Sequence, residues 1–485
     1  MGATSSILEI IGVTSVLPFF SLILNPNYIN DSQFISTVQN ILNVPDEKVF
    51  TITIGILSLL IFVFGSTCML ISTIFQIKFA NKLIKEVKNR LLEKYVNESF
   101  LDHKKNNSSY SISKIISQVD EVINGIVLCP LVIFTKLLGI MLLIIILLYF
   151  NFSITFSLIV FVSFTYFLIL AIVKKRTDNA SLVFFNSNIK TLQFANEALK
   201  LFKEIYFNKS KKFFLERFEI QTEKVLKAKN FIRLAPKVSR YGLEIIAISS
   251  ALIISLFLIY KFGTLNEYLP LLSFFVLASY KIFPNLNEIF GNIIQFKSQQ
   301  ESFKNLHYDL IKELKKKDLE NKSNDKQIIL KNSICLKNIN FQYDNKKILN
   351  DINLKIKKNS KTILIGKTGS GKSTLADIIA GYLMPTSGVV EFDNININKD
   401  TKLIWQKSIG HVSQSVPILN DDLYINIALS NNFDKKQVLA AAKHAEIHEF
   451  IMNLDNKYET ILSESGKNLS GGQIQRIGIA RALYN

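Results

Sequence analysis

The chain has 485 residues, 48% of them hydrophobic, a positive mean hydropathy and a formal net charge of +18. The basic residues lie between apolar stretches rather than in an arginine-rich tail or an aromatic-interleaved strip, so the charge points to membrane topology and excludes nucleic acid as the partner. Cys68, Cys129 and Cys335 stand far apart without disulfide or metal-ligand spacing.

The chain opens on "ILEIIGVTSVLPFFSLIL", an apolar run broken only by Glu9. No basic segment precedes it, so it reads as a membrane span rather than a signal peptide. Next, "NDSQFISTVQNILNVPDE" places Phe34, Ile35, Val38, Ile41 and Leu42 on one helical face and stops before Pro45. That pattern predicts a short amphipathic helix lying at the outer surface of the membrane.

Further spans are expected at Val49–Ile77, 123–150, 151–173, Tyr241–Tyr260 and 268–294, six in all with the first. Each reaches the roughly 20 apolar residues that a helix needs to cross hydrocarbon. The loop 78–120 carries nine Lys/Arg and 174–240 carries sixteen, while the alternate connections carry almost none. Positive charge stays in the cytoplasm, so both long loops and the N-terminus face inward. Within the loops, "FANKLIKEVKNRLLEKY" and "FANEALKLFKEIYFNKSKKFFLERFEIQTEKVLK" keep helical periodicity, which predicts membrane helices continuing into the cytoplasm. Lys136 and Lys281 are ionisable residues inside spans, near their cytoplasmic ends, and are candidates for an anionic substrate path. Snorkelling, or pairing with Glu9, is the competing reading.

After about residue 325 the text turns into that of an α/β domain. "KTILIGKTGSGKSTLADIIAGYL" fits G-x-x-x-x-G-K-[ST] from Gly366 to Ser373. A strand is expected at Ile363–Ile365 and a helix from Leu375 to Leu383. The loop Gly366, Lys367, Thr368, Gly369, Ser370, Gly371, Lys372, Ser373, Thr374 then turns backbone N–H groups and a helix N-terminus toward phosphate. In this arrangement Lys372 serves the β/γ-phosphates of a nucleotide and the Ser373 hydroxyl ligates Mg²⁺. Near the end of the chain, Ser470 and Gln473 in "LSGGQIQRIGIARAL" have the spacing of a capping box. Beside Gly471 and Gly472 this makes a second phosphate-ready helix start, which one nucleotide does not need twice unless the second serves a partner chain.

These motifs together resemble the ATP-binding-cassette (ABC) proteins. "LSGGQ" is similar to the family signature, Tyr343 in "NINFQYD" to its adenine-stacking aromatic, and Gln414 in "IGHVSQ" to the loop glutamine that reaches Mg²⁺ and the attacking water. Glu464 in "SESG" sits where the family has an acidic loop that touches the membrane helices. The resemblance implies an exporter-type half-transporter: an all-α transmembrane domain of six spans followed by an α/β P-loop domain. It implies coupling helices near 100–105 and 202–211, ATP and Mg²⁺ as cofactors, and a homodimer in which Ser470, Gly471, Gly472 and Gln473 bind the other copy's ATP. Glu9, Pro18 and Phe19, the outer helix and "FVLASYKIFPNLNEI" resemble flippases of lipid-linked oligosaccharides. That likeness implies an anionic glycolipid substrate, with Lys136, Lys281 and Glu9 on the substrate path; a peptide, drug or lipid exporter, or a non-hydrolysing ATP-binding membrane fragment, is the alternative. The loop charge and the exporter resemblance together imply a plasma-membrane location with a cytoplasmic nucleotide-binding domain.

The expected organisation is a transmembrane domain over 1–312, a linker over 313–328 and a nucleotide-binding domain over 329–485. The resemblance also implies that the Walker B aspartate, catalytic glutamate and switch histidine lie beyond Asn485, so the chain reads as a fragment with no catalytic residue of its own.

Overall fold

The computed structural model describes residues 2–24, 33–105, 108–150, 152–262, 269–320, 330–343, 346–398, 401–463, 466 and 468–484. The chain divides into two compact units, one comprising Met1–Glu98 and Lys105–Leu314, the other Ser99–Lys104 and Lys315–Asn485.

Among its described residues the first unit is almost wholly helical, with no strand. Its helices include Gly2–Thr14, Val16–Leu24, Gln33–Leu42, Glu47–Val96, Cys129–Phe150, Phe152–Lys200, Lys211–Phe262, Leu269–Ser298 and the larger part of Gln300–Glu320. Glu47–Val96 begins at Asp46, whose carboxylate accepts from the Lys48 N–H at 2.9 Å. Its 50 residues rise through about 75 Å, more than twice the ~30 Å hydrocarbon core. The apolar half therefore spans and the Lys-rich half projects, as the periodicity predicts. Leu59, Leu60, Phe64 and Leu70 are exposed along it, an arrangement suited to lipid and unfavourable in water.

Among the described residues, Gly2–Ile23, Glu47–Val96 and Tyr110–Tyr149 are long and apolar enough to cross a membrane. The stretches predicted at 151–173, Tyr241–Tyr260 and 268–294 fall on the helices Phe152–Lys200, Lys211–Phe262 and Leu269–Ser298. Residues 151 and 268, and many side chains between, lie outside the described residues.

Small residues set the helix spacing. A Cβ at Gly12 would fall 2.9 Å from Phe62 Cα, and one at Gly65 would fall 2.5 Å from the Leu8 carbonyl oxygen. These two glycines let Gly2–Thr14 and Glu47–Val96 touch backbone to backbone, the packing mode that operates where lipid removes the hydrophobic drive.

The helix Gln33–Leu42 forms where the amphipathic pattern places it, with one correction on its face and with the Phe34 side chain outside the described residues. Ile35 is buried with Leu22 and Phe50, and Val38 and Leu42 pack on the same cluster, but Ile41 is 77% exposed. Six residues from Ile35 is about 600° of helix, which turns Ile41 away from the face shared by positions 35, 38 and 42.

Before Cys129 the backbone widens twice into π turns, at Lys114–Gln118 and Ile123–Leu128. Lys114 and Lys94 converge on Asp309, at 2.5 and 2.8 Å, and the Tyr95 hydroxyl donates to the same carboxylate at 3.0 Å. All three charged side chains are at most 14% exposed. Burial pushes the Asp309 carboxyl up, but the two lysines prevail and hold it below the usual carboxylate range.

In the second unit an antiparallel sheet runs in the order β2 (Lys346–Lys357), β1 (Ser333–Tyr343), β3 (Ser387–Phe392), β4 (Ile395–Asn396). Register pairs Ile334 with Ile356 and with Phe392. β3 and β4 are joined by Asp393 and Asn394, at φ 47° and 68°, the double left-handed geometry of a tight hairpin. The Asp393 carboxylate accepts from the N–H groups of Lys331, Asn332 and Ser333.

The strand expected at Ile363–Ile365 is absent. Residues 361–367 have no regular structure, and Ile363 and Ile365 are 81% and 90% exposed. A strand exists only by pairing its backbone groups with a neighbour, and among the described residues none pairs with this segment. The helix after it is also shorter than expected, Lys372–Ile379, because Gly381 turns left-handed at φ 71°.

Candidate nucleotide site

The P-loop lies between irregular backbone and the helix Lys372–Ile379, whose N-cap is Gly371 at φ 88°. Glycine is required there twice over. The conformation is left-handed, and a Cβ would fall 2.7 Å from Leu349 Cδ2. Leu375 and Ile378 of this helix are buried in a cluster with Ile339, Phe341, Leu349, Phe392 and Trp405. The helix start is thereby fixed against the sheet, with Ser373 left exposed in its first turn.

Lys372 Nζ donates to the carbonyls of Gly366 and Lys367, both at 2.8 Å. The loop therefore closes around its own ammonium group, at the start of the following helix. Backbone dipoles and one fixed cation gathered in a glycine-rich turn form an anion cradle suited to phosphate. Ser373 lies in the first turn of the helix, exposed, and Thr374 is buried. A Ser hydroxyl beside phosphate oxygens fits Mg²⁺, which is typically held by one or two protein oxygens together with substrate phosphates. Among the described residues no cluster of three His, Cys, Asp or Glu could serve instead.

The other predicted site residues fall in three places. Tyr343 closes β1 and meets Phe341 edge-on at 4.9 Å. Gln414 is exposed on irregular backbone after Ile409, close to where Val416 fits against Gly478, at which a Cβ would come within 2.5 Å of Val416 Cγ2. Ser470 and Gln473 cap Gly471–Tyr484 reciprocally: Ser470 N–H donates to Gln473 Oε1 at 2.7 Å and Gln473 N–H to Ser470 Oγ at 3.3 Å. That helix is anchored in a different cluster, through Ile477 and Ala480 on Leu423, Ile427 and Val438. P-loop and capped helix thus rest on separate cores. Around Gly471 and Gly472 a Cβ would meet nothing within 4 Å, so packing inside this chain does not demand glycine at either position.

Arg481, on the same helix, donates to the carbonyls of Asn426 and Pro417 at 3.0 and 3.1 Å. Burial lowers its pKa from the usual arginine value. An arginine inside a helix gives no signal in the sequence of the acceptors it will find.

Of the segments expected to couple the domains, Phe100–Lys105 is a short helix. Ser99–Lys104 belongs to the second compact unit, where the Phe100 ring lies 5.6 Å from Tyr382. Phe202–Phe207 is also helical, with Phe202, Tyr206 and Phe207 exposed. Glu464 lies outside the described residues.

In the membrane unit Lys281 Nζ donates to Glu9 Oε1 at 2.6 Å, and Lys136 Nζ pairs with Glu288 at 3.0 Å. The sequence carries one signal of the second partner: Lys281 and Glu288 stand seven residues apart, two helical turns on one face.

Comparison with known proteins accounts for both units. Residues 10–281 match the ABC transporter transmembrane region and residues 349–485 match the ABC transporter domain. The chain is 42% identical over 159 residues to the leukotoxin translocation ATP-binding protein LktB of Mannheimia glucosida, a match over 32% of this chain and 22% of that protein. It is 38% identical over 151 residues to an ATP-dependent lipid A-core flippase of Syntrophus aciditrophicus (strain SB), covering 31% of this chain and 25% of that one. The match thus takes in about a quarter of the length of these relatives. In fold, the chain superposes over its whole length on a bacterial Atm1-family ABC exporter with ATP bound, at a TM-score of 0.71 and 18% identity, covering 83% of that chain. The chain belongs to the ABC transporter family, a helical transmembrane region and an ABC domain fused in one membrane-embedded polypeptide.

Proposed function

We propose that this chain is the ATP-driven subunit of an exporter or flippase that works as a homodimer in the plasma membrane, with its ABC domain in the cytoplasm. The observation that carries this reading is the ammonium of Lys372, held 2.8 Å from two loop carbonyls at the start of a helix. ATP phosphates bind there, Ser373 and Gln414 serve Mg²⁺, and Tyr343 stacks on the adenine. Ser470–Gln473 of a second copy completes the site. The open space around Gly471 and Gly472 supports that role, since it admits a close approach from outside the chain.

The cargo in this reading is an anionic glycolipid, a lipid-linked oligosaccharide by preference. Its headgroup exchanges for the carboxylates now held by Lys281 and Lys136, along a path that includes Glu9. The relationship to a leukotoxin translocation protein favours a second reading, a polypeptide cargo. Photolabelling with 8-azido-ATP tests the nucleotide assignment. Labelling that falls by about tenfold or more in Lys372→Ala agrees with the loss of a charge-assisted phosphate contact, and undiminished labelling contradicts the assignment.

A further inference from the structure

The helix Glu47–Val96 carries six Lys/Arg after its apolar stretch ends at Ile77, and they divide by height above the membrane. The three farther from it are engaged: Lys88 with Asp120 at 2.7 Å, Arg90 with Glu86 at 2.7 Å and Lys94 with Asp309 at 2.8 Å. The three nearest to it, Lys78, Lys82 and Lys85, are exposed, and among the described residues none of them forms an ion pair. An exposed lysine in open water needs no partner; position is what sets these three apart.

Steps of four and three residues put the three lysines on one face of the helix. Directly below them on that face, Ile71, Ile74 and Phe75 are exposed as well. At 100° per residue all six side chains leave the helix within an arc of about 100°. Ser58, Gly65 and Ser72, all buried, mark the other side, where neighbouring helices pack. One side of the helix thus passes without a break from exposed hydrocarbon to three ammonium groups.

The heights fit the membrane boundary. Lys78 follows the last apolar residue of the span, and Lys82 and Lys85 stand about 6 and 10 Å above it. The headgroup layer on each side of a bilayer is about 5–7 Å deep. Every Cα–Cβ bond tilts toward the N-terminus of its helix, and this helix begins on the far side of the bilayer. The three lysine stems therefore lean back toward the membrane, the direction in which lysines snorkel. The helix Lys211–Phe262 runs the other way, so the cations before its apolar end lean away from the bilayer. Arg240, the nearest of those, is already held by Glu244 at 2.7 Å.

An apolar strip that ends in a cluster of cations is complementary to a molecule with a hydrocarbon tail and an anionic head. We propose that this face binds one anionic phospholipid of the cytoplasmic leaflet, its acyl chain along Ile71, Ile74 and Phe75 and its phosphate among Lys78, Lys82 and Lys85. The apolar half of the strip selects a lipid over a soluble phosphate. The proposal rests on the membrane span and not on the ATP or cargo assignments. Its test uses no nucleotide, so its failure and that of the photolabelling are distinguishable.

Native mass spectrometry of the full chain in detergent, with phosphatidylglycerol or phosphatidylcholine added, reads the retained lipid directly. The expected result is a preference of about tenfold or more for phosphatidylglycerol, falling by up to about fivefold for each lysine replaced by Gln. Lys78→Gln, Lys82→Gln and Lys85→Gln together erase it, while the three Lys→Arg changes keep it. Because none of the three lysines is in an ion pair, the triple Gln variant keeps the unfolding midpoint of the unsubstituted chain. Lys224→Gln, an exposed control on another helix, leaves the preference unchanged. Equal retention of the two lipids overturns the proposal, and so does a preference that survives the triple Gln variant. A triple Gln variant that loses its dimer and keeps its lipid assigns the face to a second copy of the chain, which also overturns it.

Discussion

Lys281 and Glu9 join the last and first apolar helices of the membrane unit through a 2.6 Å ion pair. Neither side chain is more than 23% exposed, and the Gly12 and Gly65 contacts fix the backbone that carries Glu9. An ion pair in this setting keeps two costly charges compatible with lipid.

The first prediction follows from that balance. Lys281→Leu leaves Glu9 alone and lowers stability by about 2–3 kcal/mol, the cost of one uncompensated charge in a membrane helix. Lys281→Leu combined with Glu9→Leu recovers most of it. Thermal unfolding in detergent measures both, and equal losses in the single and double variants would mean the pair contributes nothing.

Asp309 is the opposite case, one carboxylate serving two buried lysines. Asp309→Asn strands both cations and is expected to cost about 3–5 kcal/mol. Lys94→Met costs less, because Lys114 keeps its partner. The two midpoints, compared in one unfolding assay, check the order; a larger loss for Lys94→Met would reverse the assignment of Asp309 as the hub.

Asp393 gives a pH dependence in the second unit. Hydrogen bonds from the Lys331, Ser333 and Asn332 N–H groups lower its pKa below the usual carboxylate value. A depressed folded-state pKa contributes stability that is present above the unfolded value of about 3.9 and lost as pH falls through the folded one. Asp393→Asn keeps the left-handed turn, since Asn tolerates positive φ, and removes only the charge. The unfolding midpoint of this variant falls below that of the unsubstituted chain at pH 7, and the difference narrows as pH drops below about 4. A difference that stays constant with pH would exclude the carboxylate as its source.

What the sequence made legible follows from local rules. The capping box reads from two residues three apart, and the structure holds both of its hydrogen bonds. The P-loop reads because its glycines have a reason, left-handed backbone and crowding at Gly371. The long helix Glu47–Val96 reads from apolar and charged periodicity alone. The failures are non-local. Ile363–Ile365 has a strand's composition but no hydrogen-bonded neighbour, and pairing lies outside any window of sequence. Ile41 has the right chemistry on the wrong azimuth. The Lys136–Glu288 pair, the convergence on Asp309 and the placement of Gln299 against Gly125 join residues 150 or more positions apart, which no periodicity encodes.

The central claim is that each P-loop is completed by Ser470–Gln473 of another copy. Mixing Lys372→Ala chains with Gly471→Asp chains tests it, counting ATP retained per dimer by native mass spectrometry. In a mixed dimer one composite site carries both defects and the other neither, so the account predicts about one ATP per mixed dimer and close to none in either variant alone. Mixed dimers that retain no more ATP than the separate variants would contradict the shared site.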